Sequence, residues 1–338
     1  MLSAAGQAHT DTQDEARLRH VVERLLGQAE GHPVRVVALR RTPSPFASLF
    51  PAEVLSVSLA GGPERSLFVK ALGPEQADHP EKQRRDREPR VYEELLRDEG
   101  LPVPRYYGSC WNEATRRCEV YLEHVPDWDL RYQGLEHWFT AARRLARLHA
   151  HFGARAGRLL NCDFLLRLDG AHMRQWADRA LAVVARRSAD LAADLAGVVA
   201  DYGRVCEVIE GQPPTLVHND LAPKNVLADR ARRPARICIV DWEMAGVGCG
   251  LLDLVDLKYG LGPADDQALC AAYCGELAGA GPFLPASDRE LGRLLAACEL
   301  HRTVYRLAFS EAWGVPPERA ARWVAEARDL AGRVRAAG

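Results

Sequence analysis

The chain has 338 residues, enough for one large or two smaller domains. Hydrophobic residues make up 47% and charged residues 27%, and a formal net charge of −2 gives no global basic field to draw nucleic acid or an anionic membrane. No apolar run approaches the ~20 residues that span a bilayer, residues 1–15 carry no apolar signal core, and the nine scattered cysteines lack C-x-x-C pairs, which points to reduced thiols and a cytoplasmic setting.

Residues 1–14 are polar and small and read as a disordered tail. From Glu15 the pattern turns helical: Leu18, Val21, Val22, Leu25 and Leu26 form one apolar stripe, and Gly31 with Pro33 ends it. Residues 34–39 are β-branched and read as a first strand. Residues 40–51, RRTPSPFASLFP, form a Pro-punctuated stretch without glycine. Ser44 and Ser48 there offer hydroxyls and backbone N–H groups to a phosphate, or simply serve a loop. Residues 53–59 alternate as a strand, Gly61-Gly62-Pro63 turns the chain, and residues 67–69 return as a strand ending in Lys70.

Residues 83–98 read as a charged helix. Pro89 inside it would cost ~3 kcal/mol in a helix interior and is acceptable only in the first turn. Residues 101–104 are extended, and 105–111 with 118–124 form a hairpin. Residues 135–152 are amphipathic, with Phe139, Ala142, Leu145, Ala146 and His149 on one face. His149 and His151 fall on two faces of that helix, so packing or hydrogen bonding explains them better than a metal. Residues 173–209 predict one or two helices with Trp176, Leu181 and Val184 buried. Helices over 264–278, 288–313 and 317–334 complete the chain, with Cys270, Cys274, Trp313 and Trp323 expected in the core.

The stretch 216–256 organises the rest. Residues 215–217 are a short apolar strand that delivers His218-Asn219-Asp220 onto a loop, where Pro223 is expected to stop a helix from starting. Asn225 re-enters a short strand, residues 229–234 turn, and residues 236–240 are a strand that ends at Asp241. Asp220, Asn225 and Asp241 are three oxygen donors suited to a hard cation such as Mg²⁺. The spacing H-x-D-x-x-x-x-N, then a strand, then Asp is that of a kinase catalytic loop followed by its metal-binding carboxylate.

His218-Asn219-Asp220-Leu221-Ala222-Pro223-Lys224-Asn225-Val226-Leu227 and Val240-Asp241-Trp242-Glu243 resemble the aminoglycoside phosphotransferase family. This is the small-molecule branch of the protein-kinase-like fold, with choline kinase-like relatives. Asp-Trp-Glu in place of Asp-Phe-Gly, followed by Gly248-Cys249-Gly250-Leu251-Leu252-Asp253-Leu254, is similar to that branch's form. The resemblance implies an α+β fold of two lobes: an N-lobe over residues 1–124, with an antiparallel sheet and a helix, and a mostly helical C-lobe over 125–338. The site is expected in the cleft between them.

It also implies roles. Asp220 is the catalytic base, or the group that orients the acceptor hydroxyl. Asn225 and Asp241 are Mg²⁺ ligands. Lys70 binds the α- and β-phosphates of ATP and is held by Glu88, with Glu93 and Glu94 as alternatives. Backbone groups of Glu123 and Val125 read adenine. His218 braces the loop, and Asp253 caps its backbone. Glu243 adds to the metal's outer shell or forms a salt bridge within the lobe. The family's phosphate loop corresponds to residues 40–51, where this chain has no glycine, so Ser44 and Ser48 are the candidates.

The implied activity is ATP- and Mg²⁺-dependent phosphoryl transfer to a hydroxyl of a small molecule, by a monomer or homodimer, with no nucleic acid or membrane partner. A protein kinase is disfavoured, because eleven residues between Asp241 and Asp253 leave no room for a peptide-binding activation segment. An aminoglycoside resistance kinase proper and a non-catalytic nucleotide-binding relative are the alternatives. Glu299 and Glu311 alternate with His301, Arg302 and Arg306 on one late helix, which tilts the substrate from a polycationic aminoglycoside toward a neutral or partly anionic sugar, nucleoside, antibiotic or other natural product. The same arginines would also suit pairing with nearby acids.

Overall fold

Gly31 adopts φ +75° and stops the first helix at the place the sequence marks. A computed structural model describes residues 4–45, 50–73, 79–98, 100–126 and 128–336, with side chains from residue 14 onward. The chain divides into two compact units, Met1–Pro126 and Asp127–Gly338.

In the first unit, helix α1 (Ala4–Glu30) starts well before Glu15, so part of the expected disordered tail is helical. Ala4, Ala5 and Ala8 favour that extension. Five strands follow: β1 (Val36–Pro43), β2 (Ala52–Leu59), β3 (Arg65–Leu72), β4 (Tyr106–Asn112) and β5 (Arg117–Glu123), paired antiparallel in the order β1-β2-β3-β5-β4. The α1 stripe Leu18, Val21, Val22, Leu25 and Leu26 packs with Leu55, Val57, Leu67, Val69 and Tyr121 from the sheet. Each such buried side chain contributes about 1.5–3 kcal/mol. Gly108 is required at the β4 irregularity: its φ is +149°, and a Cβ there would lie 2.6 Å from Leu25 Cδ2.

The long charged helix expected over 83–98 is instead three short turns: a 3₁₀ turn Pro80–Gln83, helix α2 (Arg87–Arg90) and a π-helical turn Val91–Leu95. Pro89 confines regular helix to a first turn, where its missing N–H costs least.

The second unit is mostly helical. Helices α3 (Leu135–Gly153) and α4 (Ala156–Leu160) come first, then strand β6 (Leu166–Arg167). Three helices, not one or two, occupy the next stretch: α5 (Gly170–Arg187), α6 (Ala189–Ala200) and α7 (Tyr202–Glu210). Ser188 causes the first break, because its hydroxyl caps the N–H of Leu191. Strands β7 (Thr215–Val217), β8 (Val226–Asp229), β9 (Arg236–Ile239) and β10 (Gly246–Gly248) follow. Strands β8 and β9 form the expected hairpin, and β6-β10-β7 forms a small mixed sheet that the sequence did not announce. Helices α8 (Leu251–Leu257), α9 (Pro263–Ala278), α10 (Asp288–Ala308) and α11 (Pro317–Ala336) close the chain.

Several core assignments change. Leu181 is half-buried, as are Cys270 and Cys274, whereas Trp176 and Val184 are buried. Helix α10 stops at Ala308, which leaves Trp313 51% exposed and stacked on Phe309, while Trp323 is buried on α11. All nine cysteines are free thiols. Among the described residues no helix is long and apolar enough to cross a membrane.

Candidate active site

Strand β7 places His218 with none of its surface exposed. The N–H of Asp220 donates to His218 Nδ1 at 3.3 Å, so Nδ1 holds a lone pair and Nε2 carries the proton. That Nε2–H donates to the carbonyl of Val240 at 2.8 Å, and the ring leans on Trp242 with centroids 4.7 Å apart. His218 therefore ties the Asp220 loop to the residue before Asp241.

Asn225 makes the second tie. Its N–H donates to Ala222 O at 2.8 Å and its Nδ2 to Asp220 O at 2.8 Å, closing the loop on itself. Its carbonyl accepts the N–H of Val240 at 2.9 Å. Pro223 does not prevent helical turning here; it begins a 3₁₀ turn, Pro223–Asn225, where no N–H is needed. Asp241 follows β9 in the left-handed region, φ 70° and ψ 58°, a conformation that costs a non-glycine residue about 1 kcal/mol or more. Asp220, Asp241 and Glu243 are each half-buried, and Lys224 is exposed.

Asp253 on α8 is fully buried and caps the loop from behind. Its Oδ2 accepts the N–H of His218 at 2.7 Å and its Oδ1 that of Asn219 at 2.9 Å. His149 Nε2 lies 3.3 Å from the same carboxylate, and His149 Nδ1 lies 2.6 Å from the Tyr273 hydroxyl. Burial alone would raise the Asp253 pKa. The His149 hydrogen bond, the nearby imidazoles and the His218 N–H outweigh it and hold the pKa below the usual carboxylate value. Gly250 is needed for this approach, since a Cβ there would sit 2.6 Å from His149 Nδ1.

One turn further along α8, Asp256 faces Arg302 of α10, with Arg302 Nη2 3.0 Å from Asp256 Oδ2. Arg306 Nη2 lies 3.7 Å from Asp256 Oδ1, and the Arg306 guanidinium lies 3.6 Å from the Tyr259 ring centre. Arg302 Nη1 donates to Asn219 Oδ1 at 2.9 Å. Burial, together with the charges of Asp253 and Asp220, raises the Asp256 pKa despite the two arginines. Sequence reasoning did not single out Asp256 or Tyr273. The spacing Asp253-x-x-Asp256, two acids on one helical face, was the available signal for the first.

In the first unit, Lys70 lies on β3 between β2 and β5, and its Nζ is 2.8 Å from Glu88 Oε2. Glu88 is the second residue of α2 and only 2% exposed, whereas Glu93 and Glu94 pair on the surface with Arg97 and Arg90. Ser44 spends its N–H on Ala52 O at 2.8 Å, continuing the β1–β2 ladder, so it has no backbone donor for phosphate. Ser48 lies outside the described residues. Glu123 ends β5; its N–H donates to Arg105 O at 2.8 Å and its carboxylate accepts the Arg105 N–H at 3.0 Å. The Val125 side chain is buried.

The donor types of Asp220, Asn225 and Asp241, two half-buried carboxylates and an amide, suit a hard oxygen-seeking cation. Among the described residues no three His, Cys, Asp or Glu side chains stand together as a metal site.

Residues 56–290 match the model of APH, the phosphotransferase enzyme family. Among curated protein sequences none matches the chain. Solved structures of similar fold include a microcompartment-associated aminopropanol kinase (18% identity, 88% of this chain and 92% of that one, TM-score 0.60). An ethanolamine kinase of Plasmodium vivax is another (10% identity, 89% and 83%, TM-score 0.59). A macrolide 2′-phosphotransferase of Brachybacterium faecium is a third (18% identity, 90% and 97%, TM-score 0.52). The α+β fold is kinase-like, and the chain belongs to the phosphotransferase enzyme family as a kinase-type, small-molecule phosphotransferase.

Proposed function

We propose that the chain transfers the γ-phosphate of Mg·ATP to a hydroxyl of a small molecule, with Asp220 orienting the acceptor. The observation that supports this most is the double tie between the Asp220 loop and Val240, through His218 Nε2 and the Asn225 carbonyl. It couples the backbone around Asp220 to the backbone that presents Asp241. Asn225 uses its amide nitrogen within the loop, so its Oδ1, with the Asp241 carboxylate, is the fitting Mg²⁺ ligand set. A bound Mg²⁺ supplies charge neutralisation across the β- and γ-phosphates. Lys70, steadied by Glu88, adds a cation for the same phosphates, and the Ser44 hydroxyl and Ser48 are assigned to them as well. The Glu123 carbonyl and Val125 N–H are assigned to adenine, and Glu243 to the surroundings of the metal.

For the acceptor, the charges of the α10 segment give no preference. Arg302 and Arg306 pair with Asp256, Glu299 with Lys258 and Glu311 with Arg186, so they are mutually satisfied. The expected tilt away from cationic substrates therefore loses its basis. Amino alcohols, which the names of two structural neighbours mention, join sugars, nucleosides and antibiotics as acceptors to test.

The test is label transfer from γ-labelled Mg·ATP and Mg·GTP to a panel: 1-amino-2-propanol, ethanolamine, choline, a macrolide, an aminoglycoside, a nucleoside and a hexose. One class should accept label, and Asp220→Asn should cut turnover by about 10²–10⁴-fold with nucleotide affinity retained. Nucleotide binding without transfer to any acceptor, identical in parent and variant, would instead establish a non-catalytic relative.

A further inference from the structure

Asn219, the residue before Asp220, sits at φ +65°, a left-handed conformation that little in its own sequence neighbourhood enforces. Two groups hold it. Its N–H is bound by Asp253 Oδ1 at 2.9 Å, and its side-chain Oδ1 accepts from Arg302 Nη1 at 2.9 Å. Asn219 Nδ2 is buried and has no hydrogen-bond partner among the described residues, so the arginine contact is what fixes that side chain. Arg302 is itself 2% exposed and so is sealed from any ligand. It is held against Asp256, one helical turn after Asp253, so both holds on Asn219 are backed by one face of α8.

We infer that Arg302 is a positioning residue for phosphoryl transfer: through Asn219 Oδ1 it locks the left-handed turn that aims the Asp220 carboxylate. Asp253 fixes the backbone on one side of Asn219, and Arg302 fixes the side chain on the other. With the second hold released, the peptide between Asn219 and Asp220 gains freedom to rotate, and Asp220 leaves its productive direction. Displacements of about 1 Å at a reacting group cost on the order of 10²-fold in rate. The inference rests on the role proposed for Asp220.

The experiment is a double-mutant cycle with two readouts. Arg302→Lys keeps a cation opposite Asp256 and loses the guanidinium that reaches Asn219. Asn219→Gly keeps the backbone conformation and removes the acceptor. ADP release is measured from Mg·ATP with the best acceptor of the panel, or with water alone. Arg302→Lys should lower kcat by about tenfold with KM for Mg·ATP within about twofold. Adding it to Asn219→Gly should cost less than about twofold more, because both act on one contact. Hydrogen exchange, which needs no acceptor, should quicken over residues 217–225 in Arg302→Lys and not over α8 and α10. An equal loss in both backgrounds, a rise in KM that accounts for the loss, or unchanged exchange over 217–225 overturns the inference. Asp220→Asn separates the two claims. If it leaves turnover intact, the reading of Asp220 is what fails; if it abolishes turnover while Arg302→Lys does nothing, only the positioning role fails.

Discussion

Asp253 shows how one side chain organises a loop. It is fully buried and accepts two successive backbone N–H groups at 2.7 and 2.9 Å, with His149 beside it at 3.3 Å. Asn in its place presents one oxygen instead of two and no charge. Asp253→Asn should therefore cost about 3–5 kcal/mol, the loss typical of one partner in a buried charged network, measured as a shift in the urea midpoint at pH 7. The pH dependence has a definite sign. The folded pKa lies below the reference 3.8, so the contribution is complete above about pH 3.8 and is lost as the pH falls through the folded value. Acid unfolding of the parent below that point should be steeper than that of the variant. A capping role for Asp253 was implied by the family resemblance of the Gly-rich turn before it. Its partner His149 was legible only as a histidine on a buried helix face, because 104 residues separate the two.

Helices α7 and α10 meet through a buried hydrogen bond between the Tyr202 hydroxyl and His301 Nδ1, 2.9 Å apart. Burial, with the Arg302 and His172 charges behind it, pushes the His301 pKa well below 6.5, so the imidazole is neutral in the fold. A depressed folded pKa means full stability above about pH 6.5 and a decline below it, as the unfolded chain takes up a proton that the folded chain refuses. The slope reaches about 1.36 kcal/mol per pH unit for one such group. His301→Gln should flatten the parent's loss of stability between about pH 6.5 and 5, read from urea midpoints at several pH values. Element boundaries show where pattern reading stops. The α1 stripe was plain in the sequence because burial there follows helical spacing. The breaks at Pro89 and Ser188 were harder to read, since apolar spacing continued across a residue that redirected the backbone hydrogen bonds.

For the whole molecule, ligand linkage gives the direct prediction. If Mg·ATP binds the folded chain and not the unfolded one, nucleotide at about 100 times Kd should add about 2.7 kcal/mol of stability. Excess chelator should remove most of that gain while leaving the ligand-free transition unchanged, because the metal is assigned to the nucleotide's phosphates and not to the fold. Scanning calorimetry with and without chelator measures both. Residue identity and short spacing by themselves pointed to the kinase-like class, because a phosphoryl-transfer loop needs particular atoms at local separations, and the resemblance they carry named His218, Asp220, Asn225, Asp241 and Lys70 as the candidate groups. The same resemblance, through residues 248–254, pointed to Asp253. Only the tertiary structure decided how these groups are held. The contacts of Asp253 with His218 and Asn219 span 35 and 34 residues, and that of Arg302 with Asn219 spans 83. Such bonds depend on how α8 and α10 pack behind the loop, and local pattern carries no record of that packing.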